Sequence, residues 1–134
     1  MITYRETIQT DVGEDAGCCY GYICSNPDEL TEVSKQNFAY GELRHVMQDL
    51  EFPVAYFFYV EVKPEYQRRG LASKAAKEFE TFAQLHAAKT IVLKAAFDDD
   101  DEMEWKPHLY AKLGYAGFDQ EHLAFPVMYK YLRA

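Results

Sequence analysis

Gln67, Arg68, Arg69 and Gly70 stand where an apolar run gives way to a helical one, within "EVKPEYQRRGLASKAAKEF" at residues 61–79. Two arginines and a glycine at such a junction suggest anion chemistry. The first N–H groups of a helix lack intrahelical acceptors and carry partial positive charge. They form a ready phosphate site. Gly70 has no Cβ, so a bulky anion can come close to the main chain. Arginine forks match phosphate oxygens. GxxxxGK[ST] and GxGxxG are both absent, so this is neither a nucleotide P-loop nor a dinucleotide fingerprint. A plain turn flanked by solvated arginines is the competing reading.

Other reactive residues are less organised. Cys18, Cys19 and Cys24 are three, whereas a disulfide framework wants an even number. On a strand Cys18 and Cys19 point to opposite faces, so they do not share a ligand easily. All three read as buried apolar thiols in a reducing compartment. His45, His86, His108 and His122 show no metal spacing, and no metal is expected. "DDDDE" at 98–102 could attract a cationic amine, or could be a solvated acidic loop. The net charge of −8 argues against nucleic acid and anionic lipid as partners.

The elements that must place the turn follow from pattern. Residues 2–9 and 18–25 read as two strands of a hairpin. Asn26, Pro27, Asp28 and Glu29 form a helix-start signal. Leu43, Val46, Met47 and Leu50 have helical spacing, ended by Phe52-Pro53. "VAYFFYVEVK" at 54–63 is apolar on both faces up to Glu61, as expected of a central strand covered on both sides. From Gly70 to about Ala87 the pattern is helical, with Leu71, Ala75, Phe79 and Phe82 in one stripe. Residues 90–97 make another strand, which completes a right-handed βαβ unit with parallel strands. Pro107 is expected to open a short helix that Gly114 closes, and the last strands fall in "YAGFD" and "FPVMYKYL". The 134 residues suit one domain, 1–134. No run approaches the ~18 apolar residues of a membrane span, and the start lacks signal-peptide character. The cytoplasm is the expected location.

"QRRGLA" at 67–72 resembles the Q/R-x-x-G-x-G/A signature of the GCN5-related N-acetyltransferases. "LYAKLGY" at 109–115 is similar to that family's LY-x-x-x-GF segment, and "VMYKYL" to its last strand. The resemblance covers roughly residues 54–132. It implies an α/β fold with a mixed central sheet, an N-terminal hairpin, a central βαβ unit and parallel strands that splay at an acyl-CoA site. The N-terminal third departs from the pattern. The usual first strand and helical pair are missing, and the helical region 27–50 stands instead between hairpin and central strand.

Several roles are implied by the resemblance. The coenzyme A pyrophosphate would lie on the amides of Arg68, Arg69, Gly70, Leu71 and Ala72. The Gln67 side chain would shape the loop, and Ser73 would add a hydroxyl. The pantetheine arm would run beside Val60 to Val62. Tyr110 would be the general acid for the departing thiolate. From its own setting rather than from the resemblance, Glu61 is a candidate general base, through water, because a carboxylate on an apolar strand needs a reason; a strand-end charge reaching solvent or pairing with a lysine is the alternative. His108 could relay a proton near Tyr110, although a surface histidine is the plainer reading. The implied activity is direct, acetyl-CoA-dependent acetylation of a primary amine on a small molecule or peptide. The alternatives are a non-catalytic acyl-CoA-binding module and a protein-interaction domain. The missing helices and many aromatics are compatible with a homodimer.

Overall fold

The computed structural model describes residues 1–37, 39–94, 110–117 and 127–132. Its sheet has six strands: β1 (Ile2–Gln9), β2 (Asp15–Cys24), β3 (Val54–Val62), β4 (Thr90–Lys94), β5 (Ala116–Gly117) and β6 (Val127–Tyr131). Their spatial order is β1-β2-β3-β4-β6-β5. β3 and β4 are parallel and every other neighbouring pair is antiparallel. This is the expected hairpin followed by a βαβ unit. The crossover helix is α3 (Leu71–Leu85), and α1 (Pro27–Gln36) and α2 (Tyr40–Leu43) lie between hairpin and β3.

Local chemistry explains the helix starts. Asn26 caps α1, its Oδ1 accepting from the Glu29 N–H at 3.0 Å. The Glu29 carboxylate accepts from the Ser25 N–H at 3.1 Å, so two otherwise unpaired donors are satisfied. α3 buries Ala75, Ala76, Phe79 and Ala83 against the sheet. Phe79 stacks on Phe57 of β3 at 4.7 Å. Its seat depends on Gly21, where a Cβ would come within 2.4 Å of the Phe79 ring. A small residue on β2 thus sets how closely α3 approaches.

The sheet has a core on each face. Tyr4, Cys19, Ile23, Ala55, Phe57, Ile91 and Leu93 pack with α3 on one side. Cys24, Val54, Tyr56 and Val92 pack with Leu30, Val33, Leu43, Val46 and Leu50 on the other.

Three expectations are corrected. The 43–50 spacing does bury Leu43, Val46 and Leu50, but not as one helix. α2 stops at Leu43 and a 3-10 turn covers Met47–Asp49, because short turns suffice to bring these side chains onto the sheet. Cys18 is half-buried, whereas Cys19 and Cys24 are buried, because the α1–α2 layer does not reach the far end of β2. β3 is covered on both faces only from Val54 to Phe57, and Tyr59 and Glu61 are exposed. The 95–97 end of the fourth strand, the acidic run, Pro107, His108 and His122 lie outside the described residues.

Candidate active site

The two halves of β3 behave differently, and that difference opens the site. On its β2 side, Tyr20 pairs with Tyr59 and Gly21 with Phe57, so Phe58 is an extra residue, a β-bulge. Bulges bend a strand and increase its twist. On its other side β3 pairs with β4 over three positions only, Val54–Thr90, Ala55–Ile91 and Tyr56–Val92. Beyond Tyr56 the parallel strands part. β4 continues to Lys94 paired with β6, and β3 continues to Val62 paired with β2. Between them lies a strand edge without a ladder partner among the described residues. Val60 and Val62 are half-buried on the α3 side of this edge.

From Val62 the chain enters the turn. The Lys63 N–H bonds to the Ala16 carbonyl at 2.8 Å, and a single 3-10 turn covers Pro64–Tyr66. Gln67 Nε2 reaches back to the Val62 carbonyl at 3.0 Å, closing the loop on the strand that feeds it. The Tyr66 hydroxyl bonds to Glu14 Oε2 at 2.6 Å, tying the turn to the β1–β2 hairpin. This bond to a carboxylate raises the Tyr66 pKa above its ordinary value. The Arg69 guanidinium lies 5.4 Å from the centre of the Tyr66 ring.

Arg68 has φ +65° and Gly70 φ +76°, ψ +10°, both left-handed. Gly70 is the N-cap of α3 and brings no side-chain acceptor. The first α-helical bond runs from the Lys74 N–H to the Gly70 carbonyl, 3.0 Å. Among the described residues, the main-chain N–H groups from Arg68 to Ser73 have no hydrogen-bond acceptor. A Cβ built on Gly70 meets nothing within 4 Å. The turn is therefore a run of bare donors at a helix N-terminus, with two arginines exposed beside it and open space over its glycine. That arrangement can hold a diphosphate.

The two candidate proton-transfer residues come from different places. Glu61 is on β3 past the bulge, on the face away from α3, opposite Cys18 of β2. It is exposed, which corrects the premise that its carboxylate is buried; its Oε2 accepts a hydrogen bond from the Tyr59 hydroxyl. Tyr110 is buried, 4% exposed, with its ring edge-on to Tyr115 at 5.6 Å. The Tyr110 segment is held from outside. Lys130 of β6 donates to the Leu113 carbonyl at 3.0 Å and pairs with Glu80 of α3 at 2.9 Å. Burial pushes the Tyr115 pKa above its ordinary range.

Sequence reasoning missed Tyr59. The signal was available, since residues i and i+2 of a strand share a face and Tyr59 stands two before Glu61. It also missed the Lys130–Glu80 pair, whose members lie 50 residues apart with no local pattern to join them.

The model of the acetyltransferase (GNAT) family matches residues 5–115, most of the chain. The chain belongs to that family. No curated protein matches it. Among solved structures, arylalkylamine N-acetyltransferase 2 from Aedes aegypti is similar at 12% identity, TM-score 0.68, covering 96% of this chain and 73% of that one. A GNAT acetyltransferase from Listeria monocytogenes aligns with 13% identity and TM-score 0.61, over 96% of this chain and 64% of that one. The PaiA N-acetyltransferase from Thermoplasma acidophilum, solved with coenzyme A, has 14% identity and TM-score 0.63, over 98% and 62%. At these identities the likeness is one of fold. The mixed sheet with flanking helices is the GNAT fold. Among the described residues no helix is long and apolar enough to cross a membrane, and no His, Cys, Asp and Glu side chains cluster as metal ligands.

Proposed function

We propose that this GNAT domain, residues 1–134, transfers an acetyl group from acetyl-CoA directly to a primary amine of a small molecule or peptide. One observation carries the reading: the bare N–H groups of residues 68–73 sit at the end of the strand that has just parted from β4. The diphosphate would rest on the amides of Arg68, Arg69, Gly70, Leu71 and Ala72, with the Ser73 hydroxyl beside them. The pantetheine arm would follow the unpaired β3 edge at Val60 to Val62 into the gap.

The chemistry balances with this chain's own residues. The amine must be neutral to attack, so its proton passes to Glu61, directly or through water. The amine nitrogen bonds to the thioester carbonyl carbon while the carbon–sulfur bond breaks. A main-chain N–H of the β3 edge would stabilise the developing oxyanion. The thiolate takes the Tyr110 hydroxyl proton, the second proton lost from the nitrogen as the amide forms returns to the Tyr110 oxygen through water, and Glu61 releases its proton to solvent. Holding both substrates side by side supplies much of the rate, and no acyl-enzyme is needed. The chain's net charge of −8 favours a cationic acceptor. The fold neighbour named for arylalkylamines supports an amine acceptor. Cys18, Cys19 and Cys24 are free thiols, the state a reducing cytoplasm keeps.

The test is a panel of primary amines assayed with acetyl-CoA for thiol release. Turnover with at least one amine, lost in Tyr110→Phe while coenzyme A still raises the melting temperature, supports transfer. A melting shift with no thiol release from any amine would point to a non-catalytic acyl-CoA-binding module instead.

A further inference from the structure

On the face of the sheet away from α3, three side chains in register run across three strands. Arg5 of β1 pairs with Tyr20 of β2, and Tyr20 pairs with Tyr59 of β3. The Arg5 guanidinium lies 5.5 Å from the centre of the Tyr20 ring. The Tyr20 and Tyr59 rings stack with centroids 5.5 Å apart and planes 17° apart. Tyr20 also stacks on Phe58, the bulge residue, at 5.9 Å. Tyr59 then donates its hydroxyl hydrogen to Glu61.

We infer that Tyr59 is a positioning residue for acetyl transfer, and that the Arg5–Tyr20–Tyr59 stack aims the Glu61 carboxylate at the acceptor amine. The inference rests on the reading of Glu61 as the base. Its physical reason is the exposure of this carboxylate. A glutamate in water samples many rotamers, and holding one costs side-chain entropy. A hydrogen bond from a rigid donor removes that freedom beforehand. A tyrosine has few rotatable bonds, and cation–π and ring stacking fix those further. The stack begins on the outermost strand, so a residue on the sheet's far edge acts on the base through two rings. The bulge makes this geometry: it carries Tyr59 and Glu61 together onto the face away from α3, in the half of β3 that β4 has left.

The experiment is a double-mutant cycle on steady-state kinetics with the best amine of the panel. Glu61→Gln is expected to lower kcat by about a hundredfold or more. Tyr59→Phe keeps the ring and loses only the hydroxyl, and should lower kcat by about ten- to a hundredfold with the KM for acetyl-CoA unchanged. In a Glu61→Gln background, Tyr59→Phe should cost nothing further, since the carboxylate that it is proposed to aim is gone. Tyr20→Leu, which removes the ring that Tyr59 stacks on, should show part of the Tyr59→Phe loss. Additive effects of Tyr59→Phe and Glu61→Gln overturn the inference and leave the base reading standing. Full activity in Glu61→Gln overturns both. A readout without turnover is the Tyr59 hydroxyl proton by NMR. Slow exchange in the parent that is lost in Glu61→Gln supports the bond, and fast exchange in both contradicts it.

Discussion

Gly70 and Arg68 hold positive φ within three residues, and only one of them is a glycine. An L-residue in that region costs about 1–2 kcal/mol. Gly70→Val is thus expected to lower stability by about that amount and to put methyl groups over the donors of 68–73. Coenzyme A affinity, measured by calorimetry, should fall more than stability does. Arg68 bears the same strain without relief from its side chain, as expected where a main chain is bent to serve a ligand. Tyr115 makes the opposite case. Its hydroxyl is buried without a hydrogen-bond partner among the described residues. Removing such a group recovers its desolvation cost, so Tyr115→Phe should stabilise the fold by about 1 kcal/mol, seen as a higher melting temperature. Tyr110→Phe has a different signature: a large loss of turnover with coenzyme A binding retained.

At the scale of elements, α3 is the part on which the site most depends, because its N-terminus is the proposed phosphate site. Phe79 is fully buried and rests on Phe57 over Gly21. Phe79→Ala should cost about 3–5 kcal/mol in denaturant unfolding, more than any surface change on the same helix. This helix was legible in the sequence, since the Ala75–Phe79–Phe82 stripe is strong and Gly70 marks its start. The α1 cap at Asn26 was equally plain. The bulge at Phe58 was not. Nothing in "YFFYV" distinguishes the extra residue, and no glycine or proline marks it, because the register is set by the facing strand. The exposure of Glu61 was hidden for the same reason. An apolar run reads as covered on both faces until one knows that β4 leaves after three pairs and that α1 and α2 cover only the first half of β3. The break after α2 was likewise invisible, since Leu43, Val46 and Leu50 are buried whether the backbone between them is α-helical or turns.

For the molecule as a whole, two buried thiols make stability depend on alkaline pH. Burial pushes the Cys24 pKa up to about 12 and that of Cys19 to about 11, from an ordinary value of 9.0. The fold thus favours the neutral thiol. The contribution is complete below about pH 9 and is lost as pH rises through 11 and 12. Melting temperatures measured at rising pH above 9 should decline, and Cys24→Ala should decline less steeply. The larger claim is that an acidic chain keeps one local site for a diphosphate, where main-chain donors and two arginines outweigh the surrounding field. Its most direct test is amide NMR during titration with coenzyme A. The account predicts that the N–H resonances of Arg68 to Ser73 move first and furthest, with those of Val60 to Val62 following. Saturable binding that leaves 68–73 unmoved, or no binding at all, would contradict it.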